Sequence, residues 1–368
     1  MFERKMLKHF DWTLFVTMVS IIVLGIIIIA SATHYAENGL TRQIKIQAIA
    51  FCLGLAIMTL VIIIDYNYLG DLYKVVYVLS IFMLLLVYIP GLGAIRGGAR
   101  SWIDIGPIDI QTSELAKIGF ILSYGKFLES RFGKIDSIAE IAISLLFPLP
   151  FILLVLLQPD LGTALVFVVI TLGMLFIAGM PWKYFVGGGA FGIAMIPVAY
   201  RFMGDHQKRR IDAFLNPSNT DLPGNYHVRQ SKITIGSGQF SGKGLFMGTQ
   251  TRYDFLPVQE TDFIFAVLVE ELGFVGGACL ILLYFLLLYR MFSVAKNSKD
   301  AYGTLVVSGI ISMFLYQIIQ NIGMTMGVMP VTGVTLPFMS YGGSSLIISM
   351  VAIGLILGIS VRRQKIKF

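Results

Sequence analysis

The side chains in this sequence best equipped for chemistry are acids, arginines and lysines gathered between Gly204 and Asp262. Over that stretch a hydrophobic pattern gives way to Arg, Lys, Gly, Gln and Tyr. It closes with Thr249-Gln-Thr-Arg-Tyr-Asp-Phe-Leu-Pro-Val-Gln-Glu-Thr-Asp-Phe-Ile-Phe265. Asp262, at the end of the stretch, is a candidate proton acceptor. Arg210, Lys243 and Arg252 are candidate contacts for an anionic ligand. Arg96 and Arg100 join them from Arg96-Gly-Gly-Ala-Arg-Ser-Trp-Ile-Asp-Ile-Gly106. Glu114 and Lys117 stand three apart in Gln111-Thr-Ser-Glu-Leu-Ala-Lys117, so on a helix they share a face and can pair. They form either a capping acid with a structural ion pair or charges facing an outer cavity, the usual fate of ionisable groups at membrane depth. Asp160 follows Pro159, which breaks a helix, and can cap the next one while holding Lys117 in place.

The remaining sequence has to position these groups, and its composition is that of a bilayer protein. Hydrophobic residues make up 56%, charged residues 13%, and the mean hydropathy is +0.80, which excludes an ordinary soluble domain. Apolar stretches long enough to cross, roughly 20 residues each, fall near 11–31, 44–64, 71–90, 113–129, 140–158, 161–179, 182–203, 273–292, 303–328 and 338–361. The expected fold class is an all-α polytopic membrane protein of about ten transmembrane helices. It reads as a single integral membrane domain over 1–368 with one large outer loop at 204–262. The first apolar run is too long for a signal peptide and lacks a small-residue cleavage site. Cys52 and Cys279 fall within spans, so no disulfide framework or thiolate metal site is expected.

Positive charge orients the chain. With the N-terminus inside, Arg4, Lys5, Lys8, Lys126, Arg131, Lys134, Arg290, Lys296, Lys299 and the Arg362–Lys367 tail are all cytoplasmic. The short loops opposite hold only Arg42, Lys45, Arg96 and Arg100, the asymmetry that the positive-inside rule describes. The 204–262 loop then faces outward with Pro90–Thr112, Gln158–Asp160 and Met329–Pro337. Part of the net charge of +7 lies in these outer segments, where topology does not call for it and an anionic ligand would. Membrane lipid is an expected partner and nucleic acid is not.

Local patterns refine the outer elements. Thr112 or Ser113 suits the N-cap of the fourth span. Asp205–Pro217 reads as a short amphipathic helix lying in the interface, with Ile211, Phe214 and Leu215 on one side. The glycines of Gln230–Gly238 and Gly242–Gly244 permit close backbone approach, without the spacing of a known phosphate loop. Asp262–Leu272 is expected to be a short boundary helix capped by Asp262 and broken at Gly273. An unbroken helix would carry Glu270 and Glu271 deep into lipid, at about 1.5 Å per residue. The two prolines and several glycines of Asn321–Ser345 require packed or cavity-lining backbone, and so predict a groove wall.

Four segments together resemble the signature motifs of the SEDS family (shape, elongation, division and sporulation). They are Gln111–Lys117, Gln158–Thr163, Thr261–Val267 and Pro330-Val-Thr-Gly-Val-Thr-Leu-Pro-Phe-Met-Ser-Tyr-Gly-Gly-Ser-Ser345. The likeness spans essentially the whole chain, in order and on the outer side. Gly248–Pro257 and the absence of long cytoplasmic tails look more like the elongation member than the division member. Thr112 stands where the family often has proline, and Gln259-Glu260 precede Thr261 where a histidine is common. The resemblance implies a SEDS-type fold in the bacterial cytoplasmic membrane, with both termini inside. It further implies a peptidoglycan glycosyltransferase that polymerises lipid II into undecaprenyl-linked glycan, with Asp262 catalytic. It also implies a class B penicillin-binding protein (a transpeptidase) as partner and a divalent cation, Mg2+ or Mn2+.

The residues suit that chemistry. Lipid II carries an α-linked MurNAc diphosphate and the product linkage is β-1,4, so the transfer inverts. A single displacement needs one base to take the GlcNAc 4-hydroxyl proton. Diphosphate leaves well without a strong acid, provided positive charge meets it. The expected diphosphate contacts are Lys117, Arg210, Lys243, Arg252, Arg96 and Arg100, while Trp102 and Tyr253 serve sugar, lipid or interfacial anchoring. A lipid II flippase or a non-enzymatic wall scaffold is the alternative, since broken helices also mark transport paths.

Overall fold

The computed structural model describes residues 9–33, 39–96, 98–105, 108–219 and 222–363. Arg4, Lys5, Lys8 and the tail beyond Arg363 lie outside them. Every range expected to span contains helix. Helices α1 (Trp12–Thr33), α2 (Arg42–Ile63), α3 (Tyr66–Asp71) and α4 (Tyr73–Leu86) come first. A three-stranded antiparallel sheet follows, β1 (Gly93–Arg96), β2 (Ala99–Ile105) and β3 (Ile108–Gln111), in the order β1-β2-β3. Then come α5 (Thr112–Glu129), α6 (Ile138–Leu146), α7 (Leu149–Leu157), α8 (Leu161–Ile177) and α9 (Trp182–Phe202). The long loop folds as α10 (Asp205–Leu215), α11 (Pro223–Ser237) and α12 (Thr249–Arg252). Helices α13 (Ile264–Lys296), α14 (Ala301–Thr325) and α15 (Gly343–Arg362) complete the chain.

Five of these, α1, α2, α13, α14 and α15, are long and apolar enough to cross a bilayer, and α6 with α7 makes a sixth bent by 44°. The other expected spans are helices that are shorter or less apolar, α3–α4, α5, α8 and α9. The core is aliphatic and aromatic, with the rings of Phe120, Phe151 and Phe167 packed together between α5, α7 and α8. At one end, Arg290 Nη2 bonds Asp11 Oδ2 at 2.7 Å and Arg362 Nη2 bonds the Ile63 carbonyl at 2.8 Å. The first tie places the start of α1 beside the later part of α13, and the second joins the ends of α2 and α15.

The sheet lies within 90–112, which the sequence read as an outer loop, in a chain that is otherwise helical as expected. The Ala94↔Trp102 and Ile95↔Arg100 pairings leave Ser101 as an extra residue on β2. Such a bulge interrupts the alternation of faces, so Arg100 and Trp102 fall on opposite sides. Two capping expectations also fail. Gln111 is the N-cap of α5, and Thr112 Oγ1 instead donates to the Ser101 carbonyl at 3.3 Å. Phe263, not Asp262, precedes the first residue of α13 and no side chain caps it. The Gln230–Gly238 segment is no glycine cradle: most of it is helical, within α11.

The break at Gly273 is present. Its φ of 67° and ψ of −167° interrupt α13 between the boundary turn carrying Glu270 and the crossing. A Cβ there would sit 2.3 Å from Gly242 N and 2.5 Å from the Phe240 carbonyl oxygen, both backbone atoms that cannot swing away. Gly273→Ala is therefore expected to cost at least about 2 kcal/mol from strain and overlap together. A thermal melt of the purified protein reads this, and an unchanged midpoint would mean that the helix tolerates running straight.

Candidate functional site

Asp262 sits between two polar bridges that fix its backbone. Asn321, buried in α14, donates from Nδ2 to the Asp262 carbonyl at 3.1 Å and to the Val334 carbonyl at 2.9 Å. Ser340 Oγ donates to the Thr261 carbonyl at 2.7 Å, and Tyr341 N to the Glu260 carbonyl at 2.9 Å. Gln259 Nε2 reaches the Ala32 carbonyl at the end of α1, 2.9 Å away. Asp254 and Val258 hold left-handed φ values of 52° and 53°, a costly state for a β-branched valine that these ties maintain. The 330–337 segment thus walls the site as its prolines and glycines predicted. Gly333, at φ 76°, lies so near that a Cβ on it would be 3.7 Å from Asp262 Oδ2.

Asp262 opens into a cavity of about 820 Å³. Asp160 and Arg210 line it too, together with the β2–β3 hairpin, the 330–335 segment and the start of α15. Asp160 caps α8 as expected, accepting from Thr163 N at 3.0 Å and Thr163 Oγ1 at 2.8 Å. Ile211 of α10 lines the cavity, while Phe214 and Leu215, one turn further along the same face, stay exposed. Burial pushes the Asp262 carboxyl up to about 6, while Arg210 and a hydrogen bond from Thr261 pull the other way. Burial in turn lowers Arg210, against the raising influence of Asp262 and Asp160. The three groups form one electrostatic unit, a carboxylate poised near neutrality beside a permanent cation.

The other basic candidates stand elsewhere. Lys117 is 1% exposed, absent from the cavity wall, and bonded to Glu114 Oε1 at 2.7 Å. Asp160, on the cavity wall, responds to both charges, so the expected cluster of three runs from the wall to the pair behind it. Lys243 bonds Glu270 Oε1 at 2.7 Å. That fully buried carboxylate also accepts from Gln250 N at 2.9 Å and Thr251 Oγ1 at 3.1 Å, so Lys243 and Glu270 pin the 243–252 segment to α13. Neither glutamate lies exposed at a membrane surface, because Glu271 is equally buried and accepts from Ser31 Oγ. Arg252 is exposed and outside the cavity. Arg100 is turned away by the Ser101 bulge, and Arg96 contributes its backbone to β1. Sequence reasoning passed over Arg42, the first residue of α2 and the second cation lining the cavity. Its signal was its place among the few outward positive charges. Among the described residues, no group of three or more His, Cys, Asp or Glu side chains is arranged to hold a metal ion. The donors present therefore make no resident cage for the divalent cation that the resemblance implied.

Residues 11–365 match the model of the FtsW/RodA/SpoVE family, described as cell cycle proteins. The chain belongs to this family. Within the FtsW/RodA/SpoVE family it is 37% identical over 357 residues to the peptidoglycan glycosyltransferase MrdB of Escherichia coli (strain K12), covering 97% of this chain and 95% of that protein. It is 36% identical to stage V sporulation protein E of Bacillus subtilis (strain 168), covering 95% and 96%. Among solved structures it is similar to the rod shape determining protein RodA of Thermus thermophilus, with TM-score 0.73, 32% identity and coverage of 97% and 98%. A chain from a structure described as coordinating polymerisation and crosslinking in a peptidoglycan synthase complex superposes with TM-score 0.81 at 32% identity, covering 95% and 97%. A family fold thus underlies the site: the motifs quoted for the resemblance are the segments that surround Asp262.

Proposed function

We infer that this chain is a peptidoglycan glycosyltransferase that polymerises lipid II on the outer face of the bacterial cytoplasmic membrane, with Asp262 as general base. The observation that carries the reading is Asp262 and Arg210 on one cavity wall, the carboxyl raised to about 6. Ionised at neutral pH, Asp262 accepts the proton of the GlcNAc 4-hydroxyl as that oxygen attacks MurNAc C1. The bond from C1 to the diphosphate oxygen breaks at the same time, with inversion. Arg210 and Arg42, both lining the cavity, meet the departing diphosphate as fixed positive charge. Lys117, Lys243 and Arg252 hold the surrounding frame or surface in this reading. Motif likeness around Gly248–Pro257 favours a role in elongation, and a class B penicillin-binding protein is the fitting partner for crosslinking the strands.

The reading is tested in proteoliposomes with lipid II confined to the leaflet facing the 204–262 loop. Glycan strands are expected without movement of lipid II between leaflets. Translocation with no polymer from the wild type would favour a flippase instead. The pH profile adds a second sign. A base raised to about 6 is active above that value, so the rate should fall as pH drops through about 6. Because Arg210 holds the Asp262 carboxyl down, Arg210→Gln should move this acidic limb to higher pH as well as slow turnover. A limb left in place would separate Arg210 from the base.

A further inference from the structure

The cavity is larger than one proton transfer and one diphosphate need. At about 820 Å³ it falls within the roughly 300–1,000 Å³ of pockets that enclose a whole small-molecule group. Its charge is also divided. Arg42 and Arg210 are the cations on its wall, whereas Asp104 and Asp109 add two carboxylates on the β2–β3 hairpin. Their acceptor oxygens suit a ligand that donates hydrogen bonds, a different chemistry from that of a diphosphate.

The strand register shows what it offers. Trp102 pairs with Gln111 and Asp104 with Asp109, so all four side chains fall on one face of the sheet. All four line the cavity. The Ser101 bulge sets this arrangement by turning Trp102 to the same face as Ala99, another wall residue. Ser101 itself lines the cavity, is fully buried, and its Oγ makes no hydrogen bond within the protein. The hairpin backbone is anchored on three sides. Ser344 Oγ donates to the Asp109 carbonyl at 2.8 Å, Arg100 N to the Gln158 carbonyl at 3.1 Å, and Thr112 Oγ1 to the Ser101 carbonyl at 3.3 Å. An indole beside two carboxylates and a carboxamide, on a braced sheet, matches a pyranose. The apolar C–H face of the ring packs on the indole while its hydroxyls donate to carboxylate and amide oxygens.

Resting on the glycosyltransferase reading, we propose that the Trp102, Asp104, Asp109 and Gln111 face of the hairpin is the sugar subsite of the cavity. It holds an N-acetylated pyranose of the substrate disaccharide, while the arginines take the diphosphate. These four residues set specificity by binding and leave proton transfer to Asp262.

The chain has three tryptophans, so Trp12→Phe with Trp182→Phe leaves Trp102 as the sole indole reporter. Titration with the disaccharide GlcNAc-β-1,4-MurNAc as its lactyl amide, which carries neither peptide, diphosphate nor free carboxylate, should change its emission saturably. Asp104→Asn or Gln111→Ala in that background should weaken the response about tenfold, the scale of one lost hydrogen bond to a charged or buried partner. In the native-tryptophan protein the same two changes should raise KM for lipid II by more than they lower kcat, with the melting midpoint retained. The titration should persist in Asp262→Asn, since sugar binding needs no proton transfer. Polymerisation surviving in Asp262→Asn would overturn the base while leaving the subsite intact. A folded single-tryptophan protein that gives no response to disaccharide would overturn the subsite. So would a response to the free stem peptide alone, because the carboxylates would then be reading an ammonium group. If the double replacement fails to fold, an unchanged KM in Asp104→Asn and Gln111→Ala decides against the proposal.

Discussion

Asp262→Asn should lose glycan polymerisation by about 10²–10⁴-fold, the usual contribution of a positioned general base, with its melting midpoint close to that of the wild type. The two halves of this expectation have separate origins. The fold does not hang on the carboxylate: the ties that fix this turn run to backbone carbonyls, from Asn321 to Asp262 and from Ser340 to Thr261. An asparagine of the same size keeps both, and it removes an ionised group that burial disfavours. Chemistry, in contrast, loses its proton acceptor, since a carboxamide is not basic near neutrality. Asp262→Ala should behave alike in rate. Near-normal polymer yield from either variant, assayed on purified lipid II, would remove Asp262 from the mechanism. The pH limb distinguishes a base from a charge that only orients substrate: residual activity in Asp262→Asn should lack the fall through about 6 that the wild type shows.

Much of this was legible in the sequence, and the failures share a cause. Helices announce themselves through long apolar runs, so the expected ranges all hold helices. The Gly273 break followed from the cost of placing Glu270 and Glu271 in lipid, and the structure shows it at a positive φ. Pro330–Ser345 was readable as a groove wall for a similar reason, since irregular backbone near the membrane has to be packed or line a cavity. The sheet was missed because its strands are short, glycine-flanked and polar on one face, a pattern shared with loops. The α11 helix was missed because its glycines were read for freedom, whereas Asn225, Ser231 and Thr234 bury one of its faces. The Glu114–Lys117 pair was readable from its spacing, but sorting Lys243 from Arg210 was beyond the sequence: what sets Lys243 apart is a carboxylate partner from elsewhere in the fold, Glu270 across 27 positions. Arg100 and Trp102 are two residues apart, and a single bulge sends them to different faces.

Lys117→Met should be among the most destabilising single changes outside the aliphatic core, by about 3–5 kcal/mol, the cost of leaving one member of a buried ion pair without its partner. Lys117 is 1% exposed and Glu114 6%, and the 2.7 Å contact links successive turns of α5. Without the ammonium, the Glu114 carboxylate stays in the protein interior with Asp160 as a like-charged neighbour, or it takes up a proton. Glu114→Gln combined with Lys117→Met should recover part of the loss, because the double variant leaves no uncompensated charge; a coupling of that sign is what a direct pair predicts. Activity should fall in step with the folded fraction, since the pair lies behind the cavity wall and steadies Asp160 from there. Thermal melts and lipid II polymerisation on the same preparations read both quantities. If Lys117→Met melted like the wild type yet failed to polymerise, the lysine would have to reach the diphosphate in a conformation more open than this one, and the pair would belong to the reaction instead of the frame.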